Sequence, residues 1–133
     1  MTDILFIIGS ESDRDQVTPA IDLMKEKTLS FDLQVFSAHR NLQELVSFLK
    51  EEQGEYRVVI AAAGLSAALP GVVASQVDLP VIGVPLIAGS LAGIDALLSI
   101  LQLPKGIPVA TMGIGKQGVL NAVHLADRIL TRR

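Results

Sequence analysis

Ser37-Ala38-His39-Arg40 sets an imidazole beside a guanidinium. An imidazole takes up or gives a proton near neutral pH, and a guanidinium holds an anion with a fixed fork of donors. Two other stretches carry compatible chemistry. Gly9-Ser10-Glu11-Ser12-Asp13 joins a backbone that a ligand can approach closely to two hydroxyls and the free amides of a helix start. That combination favours phosphate. Asp13 suits ribose hydroxyls better, since two anions repel. Gly64-Leu65-Ser66 leads into Ala67, Ala68 and Leu69, apolar neighbours that can wall a pocket for a small uncharged species. Each stretch also has a plainer reading: Ser12 and Asp13 as helix caps, His39-Arg40 as a solvated helix start, Gly64 as a tight turn.

The elements around these stretches decide between the readings. Ile4–Ile8 is a continuous apolar run, as expected of a parallel strand buried on both faces. Residues 33–36, 57–62, 80–85 and 108–112 read as four further strands. A helix capped by Ser12 or Asp13 carries Val17, Ile21 and Met24, and Pro19 argues for a late start to it. Asn41 with Glu44 resembles a capping box, followed by Leu42, Leu45, Val46 and Leu49 at the spacing of one buried helix face. Further helices are expected over residues 67–77, with Pro70 in the first turn, and over residues 94–101. Gly113, Gly115 and Gly118 read as a flexible connection to a last helix striped by Ala122, Leu125, Ala126 and Ile129.

Strand–helix units in succession imply an α/β three-layer sandwich of flavodoxin-like type, with a five-stranded parallel sheet covered on both faces. Residues 1–133 are expected to form a single domain. The three chemical stretches then share the carboxyl edge of the sheet, where ligands bind in such folds. His124 reads as a solvated residue of the last helix, and Lys116, near the start of that helix, as a surface residue.

With 133 residues and half of them hydrophobic, the chain can bury a core. A net charge of −3 argues against broad nucleic-acid binding, which needs a basic face. No cysteine is present, which excludes disulfides and thiolate chemistry, and two histidines make a metal site improbable. The uncharged stretches 58–74 and 79–94 are broken by Gly and Pro and fall short of a membrane span. The expectation is a cytoplasmic protein.

Taken together, the stretches resemble the purine-biosynthetic PurE family. Its members include the N5-carboxyaminoimidazole ribonucleotide mutase and the aminoimidazole ribonucleotide carboxylase. The resemblance spans almost the whole chain. It is carried by Gly9-Ser10-Glu11-Ser12-Asp13, Ser37-Ala38-His39-Arg40, Ala63-Gly64, Leu69-Pro70-Gly71, Pro80-Val81-Ile82-Gly83-Val84-Pro85, the segments 93–100 and 102–111, and Asn121-Ala122. It implies that His39 is the general acid/base. Ser10 and Arg40 would lie near the phosphate of a ribonucleotide and Asp13 near its ribose. Ser12, Ser37, Ala38, Gly64, Ser66 and Leu69 would complete the substrate site. It implies no metal or organic cofactor, a ribonucleotide and carbon dioxide as small-molecule partners, and a homo-octamer. The implied chemistry joins a carboxyl group to C4 of the aminoimidazole ring, an electron-rich enamine, and leaves the C4 proton for a positioned imidazole to move.

One departure bears on the carboxyl donor. Mutases of the family resemble Ala-Gly-Gly-Ala-Ala-His-Leu-Pro-Gly in the third loop, and here Ala68 stands where that histidine would be. Ser66 with Ala68 looks more like the carbon-dioxide-using carboxylases. Arg40, Pro70-Gly71 and the segment from Pro80 onward look more like mutases. The expectation leans to the carboxylase, with the mutase as the alternative and a nucleotide-binding module that has lost catalysis as a second. A related domain that carboxylates a pyridinium ring uses a cysteine and an added N-terminal domain, and is remote. Asn41-Leu42 replaces the usual Thr-Pro after His-Arg, and the C-terminal extension of many members is absent from this sequence.

Overall fold

The computed structural model describes residues 1–132. The strands are β1 (Ile4–Ile8), β2 (Phe31–Val35), β3 (Val58–Ala63), β4 (Val81–Pro85) and β5 (Ala110–Thr111). The helices are α1 (Arg14–Glu26), α2 (Leu42–Glu52), α3 (Leu69–Gln76), α4 (Ile94–Leu101) and α5 (Gly115–Thr131). The sheet is parallel throughout, in the order β2-β1-β3-β4-β5. This is the flavodoxin-like order.

Side chains of β1 alternate between two cores, as the pleat requires. Ile4, Phe6 and Ile8 pack with Val17, Ala20 and Met24 of α1 and with Val119, Ala122 and Ala126 of α5. Leu5 and Ile7 face Leu45 and Leu49 of α2, Leu69 and Val73 of α3, and Ala96 and Ile100 of α4. All five residues of β1 are buried, so the strand shows no polar alternation. The small residue Gly83 in β4 lets helices approach, since a Cβ there would meet Pro70 at 3.0 Å and Ile100 at 3.1 Å. Among the described residues no helix is long and apolar enough to cross a membrane.

Several boundaries differ from expectation. Strand β2 begins at Phe31 and ends at Val35, because Ile4 pairs with Phe31 and the ladder runs in register from there. Strand β5 keeps only Ala110 and Thr111, paired with Ile82 and Gly83 at the sheet edge. Helix α1 starts at Arg14 with Pro19 inside it, so the proline does not delay the start. Helix α3 begins at Leu69, with Pro70 in its first turn as expected. Helix α5 already includes Gly115 and Gly118. A Cβ on Gly118 would collide with the Gly113 carbonyl, so this glycine serves close approach and not flexibility. The capping box at Asn41 is not formed, for a reason that belongs to the site.

Candidate functional site

Strand β1 is hydrogen-bonded to β2 on one side and β3 on the other, so the crossovers diverge at its carboxyl end. In an open α/β sheet that divergence leaves a crevice for ligands. Here it is an open cleft of about 390 Å³. The loop after β1 supplies Gly9, Ser10, Ser12 and Asp13, and the loop after β2 supplies Ser37, Ala38, His39 and Arg40. The β3–α3 connection supplies Ala63 to Ser66, Ala68 and Leu69. Every site residue expected from the sequence therefore lines one cleft. Lys116 and His124 lie exposed on α5 and do not line it. Ala88, from the loop after β4, also lines the cleft, and Gly89 beside it is the only signal of it in the sequence.

The first loop closes on itself. Ser10 Oγ lies 2.9 Å from Ser12 Oγ and accepts the Ser12 backbone N–H at 3.3 Å, while Asp13 N donates to Ser10 O at 3.0 Å. These bonds form a single 3-10 turn over Glu11–Asp13, capped by Ser10 and not by Ser12 or Asp13. Asp13 occupies the cap position of α1, yet its carboxylate makes no capping bond. It is left facing the cleft. Burial raises its pKa above the ordinary value, partly offset by the Ser10 backbone amide. Glu11 is turned to solvent against Arg14, at 2.9 Å, and that hydrogen bond holds its carboxyl below the usual range.

The second loop is organised by Ser37. Its Oγ accepts the backbone N–H of His39 at 3.2 Å and of Arg40 at 3.1 Å. Asn41 donates its backbone N–H to Ser37 O at 2.9 Å and returns Oδ1 to Ser37 N at 3.3 Å. The Asn41 side chain is thus turned back to the loop and cannot cap α2, which explains the missing capping box. At the base, Phe36 packs on Phe48 of α2 with ring centroids 5.2 Å apart. The result is a rigid loop bearing two exposed side chains, His39 and Arg40.

The third loop packs against the fourth. A Cβ on Gly64 would lie 2.9 Å from Ala88 Cβ, and one on Gly89 would lie 2.8 Å from Leu65 Cδ2. Leu65 itself holds a positive φ of 56°. Ala68 N donates to Ser66 O at 2.8 Å, and Ala68 O accepts from Val72 N at 3.0 Å, so Ala68 leads directly into α3. Among the described residues no three His, Cys, Asp or Glu side chains cluster as metal ligands.

The cleft thus offers hydroxyls, a carboxylate, a guanidinium and an imidazole around small apolar walls. Several known proteins are similar to this chain in sequence. The N5-carboxyaminoimidazole ribonucleotide mutase of Brucella melitensis biotype 1 is 45% identical over 129 residues, covering 96% of this chain and 80% of the relative. The protein of the same name from Escherichia coli K12 is 41% identical over 128 residues, covering 96% of this chain and 76% of the relative. The crystal structure of Treponema denticola PurE superposes with a TM-score of 0.86 at 30% identity, over 98% of this chain and 81% of that one. The names of the sequence relatives favour the mutase over the carboxylase expected from Ala68. The model of the family described as AIR carboxylase matches residues 3–133, the span that carries every loop of the cleft, and the chain belongs to that family.

Proposed function

We propose that this chain is an N5-carboxyaminoimidazole ribonucleotide mutase of purine biosynthesis. The observation that carries the reading is the convergence of Ser10, Asp13, His39 and Arg40 on one cleft. The mutase names borne by relatives at 41% and 45% identity over nearly the whole chain support it. Arg40 holds the phosphate with its planar fork of donors, beside the hydroxyls of the Ser10 loop, whose Ser12 and Asp13 amides are already spent within the turn. Asp13 accepts the ribose hydroxyls. Ser12, Ser37, Ala38, Gly64, Ser66 and Leu69 enclose the ring.

The carboxyl group moves in two steps. The N5–carboxylate bond breaks, releasing carbon dioxide and leaving N5 to take up a proton. Ring C4, an enamine carbon, then attacks the retained carbon dioxide, forming the new C–C bond. His39 takes the C4 proton, restoring the aromatic ring, and the net change moves a proton from C4 to N5. Proton transfer by a positioned imidazole contributes about 10²- to 10⁴-fold to such a step. No cofactor is called for.

The same reading includes assembly as an octamer. It is supported by Ile94, Leu98 and Leu101, which lie at i, i+4 and i+7 of α4 and are each more than half exposed, at 56%, 51% and 57%. Replacing Leu98 by Lys lowers the mass measured by light scattering if this face joins copies.

Ala68 favours a second reading, the carboxylase that takes up free carbon dioxide. A second hollow of about 390 Å³, walled by Gly71, Val72, Leu103 and Ile107, shares Ser66 and Ala68 with the cleft. That hollow gives a small apolar molecule a place beside the loop that carries Ala68. Purified protein is assayed with the N5-carboxy compound, and separately with aminoimidazole ribonucleotide plus bicarbonate. Faster turnover of the second overturns the mutase.

A further inference from the structure

Gln16, half-buried on α1, reaches across to the loop after β4. Its Nε2 donates to Ile87 O at 2.8 Å, and its Oε1 accepts from Ile87 N at 2.9 Å. Both polar ends of one side chain are thus used on one residue, 71 positions away in the sequence. The last strand bond before it is Leu86 N to Ala63 O at 3.0 Å. Among the described residues, the two bonds to Gln16 are the only hydrogen bonds tying residues 87–90 to another element.

That loop is a wall of the cleft. Ala88 follows Ile87 directly and lines the cavity. It is packed so tightly on the third loop that Gly64 has no room for a Cβ, and Gly89 beside it, at a positive φ of 68°, lies against the tip of Leu65. Any outward shift of Ile87 therefore loosens Ala88 from Gly64 and widens the cleft on the side where the aminoimidazole ring is placed. Ile87 is 52% exposed, and its side chain packs on Gly93 and Gly115, where an added Cβ would lie 3.6 and 3.0 Å from it. The Gln16 amide adds the polar tie, from a helix that begins directly after Asp13.

We infer that Gln16 is a positioning residue, which fixes the fourth loop against Gly64 and Leu65 and so sets the width of the substrate cleft. The inference rests on the mutase reading for its activity readout, and on ribonucleotide affinity and amide exchange where that reading is not needed. Gln16→Leu removes both bonds at similar volume. It is expected to speed amide hydrogen exchange at residues 86–90, to weaken binding of aminoimidazole ribonucleotide and to lower kcat/KM by about tenfold. Faster exchange with unchanged affinity and unchanged kcat/KM makes Gln16 merely structural and overturns the proposal, as does unchanged exchange.

Gln16→Glu keeps the proposal testable if the leucine variant does not fold. A carboxylate can accept from Ile87 N but repels Ile87 O, whereas a protonated carboxyl restores the donor. The ratio of variant to wild-type kcat/KM should therefore rise as pH falls toward the carboxyl range. A flat ratio overturns the proposal. Wild-type protein that turns over neither substrate overturns the mutase reading instead. Ribonucleotide affinity of the Gln16 variants then decides the inference alone, a loss supporting it and no change overturning it.

Discussion

The Ser37 hydroxyl lies 3.1 Å from the backbone nitrogen of Arg40 and accepts its hydrogen. A residue expected to touch substrate is therefore already committed to the loop that presents the guanidinium. Because it also accepts from His39 N at 3.2 Å, only its own hydrogen remains free to donate to a ligand. Ser37→Ala leaves both amides without their acceptor. The expected loss is about 1 kcal/mol of stability, by analogy with helix-cap deletions, and about tenfold in kcat/KM. Thermal unfolding and steady-state kinetics measure the two, and an unchanged kcat/KM would remove Ser37 from the site.

His39→Asn keeps a hydrogen-bonding side chain of modest size and removes the titrating ring. Turnover should fall by about 10²-fold or more. Ribonucleotide affinity, read by calorimetry, should stay close to wild type because Arg40 and the first loop remain. Retained turnover would move the proton transfer to another group.

Asp13 titrates above its ordinary value of 3.8 in the folded chain because burial penalises the carboxylate. Below that value folded and unfolded chains are both protonated, and nothing is lost. As pH rises the unfolded chain releases its proton first, and stability falls until the folded carboxyl has also ionised. Asp13→Asn removes this penalty. The variant should be more stable above that window by less than about 1 kcal/mol, given its partial exposure. It should also bind ribonucleotide about tenfold more weakly. Denaturant titrations at acid and neutral pH check the first effect; a gain confined to acid pH contradicts it.

Tyr56 donates its hydroxyl to Asp32 Oδ2 at 2.7 Å, joining the start of β3 to the edge strand β2. Burial, reinforced by the Asp32 carboxylate, pushes the phenol well above its ordinary 10.0. The folded chain then holds its proton while the unfolded chain ionises, so stability falls as pH rises past that value. Tyr56→Phe should cost about 1 kcal/mol at neutral pH and flatten the alkaline loss. Parallel melting curves at neutral and alkaline pH compare the two proteins.

The chemistry of the site was legible because its residues sit in short loops between unmistakable apolar runs. Ile4–Ile8 and the small-residue turn at Ala63-Gly64 fix the carboxyl edge without knowledge of packing. Ala88 and Gln16 were not legible. Each acts through a neighbour distant in sequence, Ala88 against Gly64 and Gln16 against Ile87, and no local pattern announces such a contact. Asn41 misled for a related reason. Its spacing to Glu44 suits a capping box, but its Oδ1 accepts from Ser37 N instead. The edges of the sheet were blurred because pairing, not propensity, decides where β2 starts and how little of β5 forms. The expectation of the carboxylase rested on one residue, Ala68, whereas the sequence relatives bear the mutase name.

Strand β1 is synthesised first but sits between β2 and β3. As the chain leaves the ribosome, residues 4–35 can complete the β1–β2 pair while the other edge of β1 has no partner. That edge, with Leu5 and Ile7 still without the helices that cover their face, waits until residues 58–63 emerge. An unpaired apolar edge is where nascent chains stick to one another. Substitutions that slow the arrival or docking of β3 should therefore lower the yield of soluble protein more than they lower the stability of what does fold.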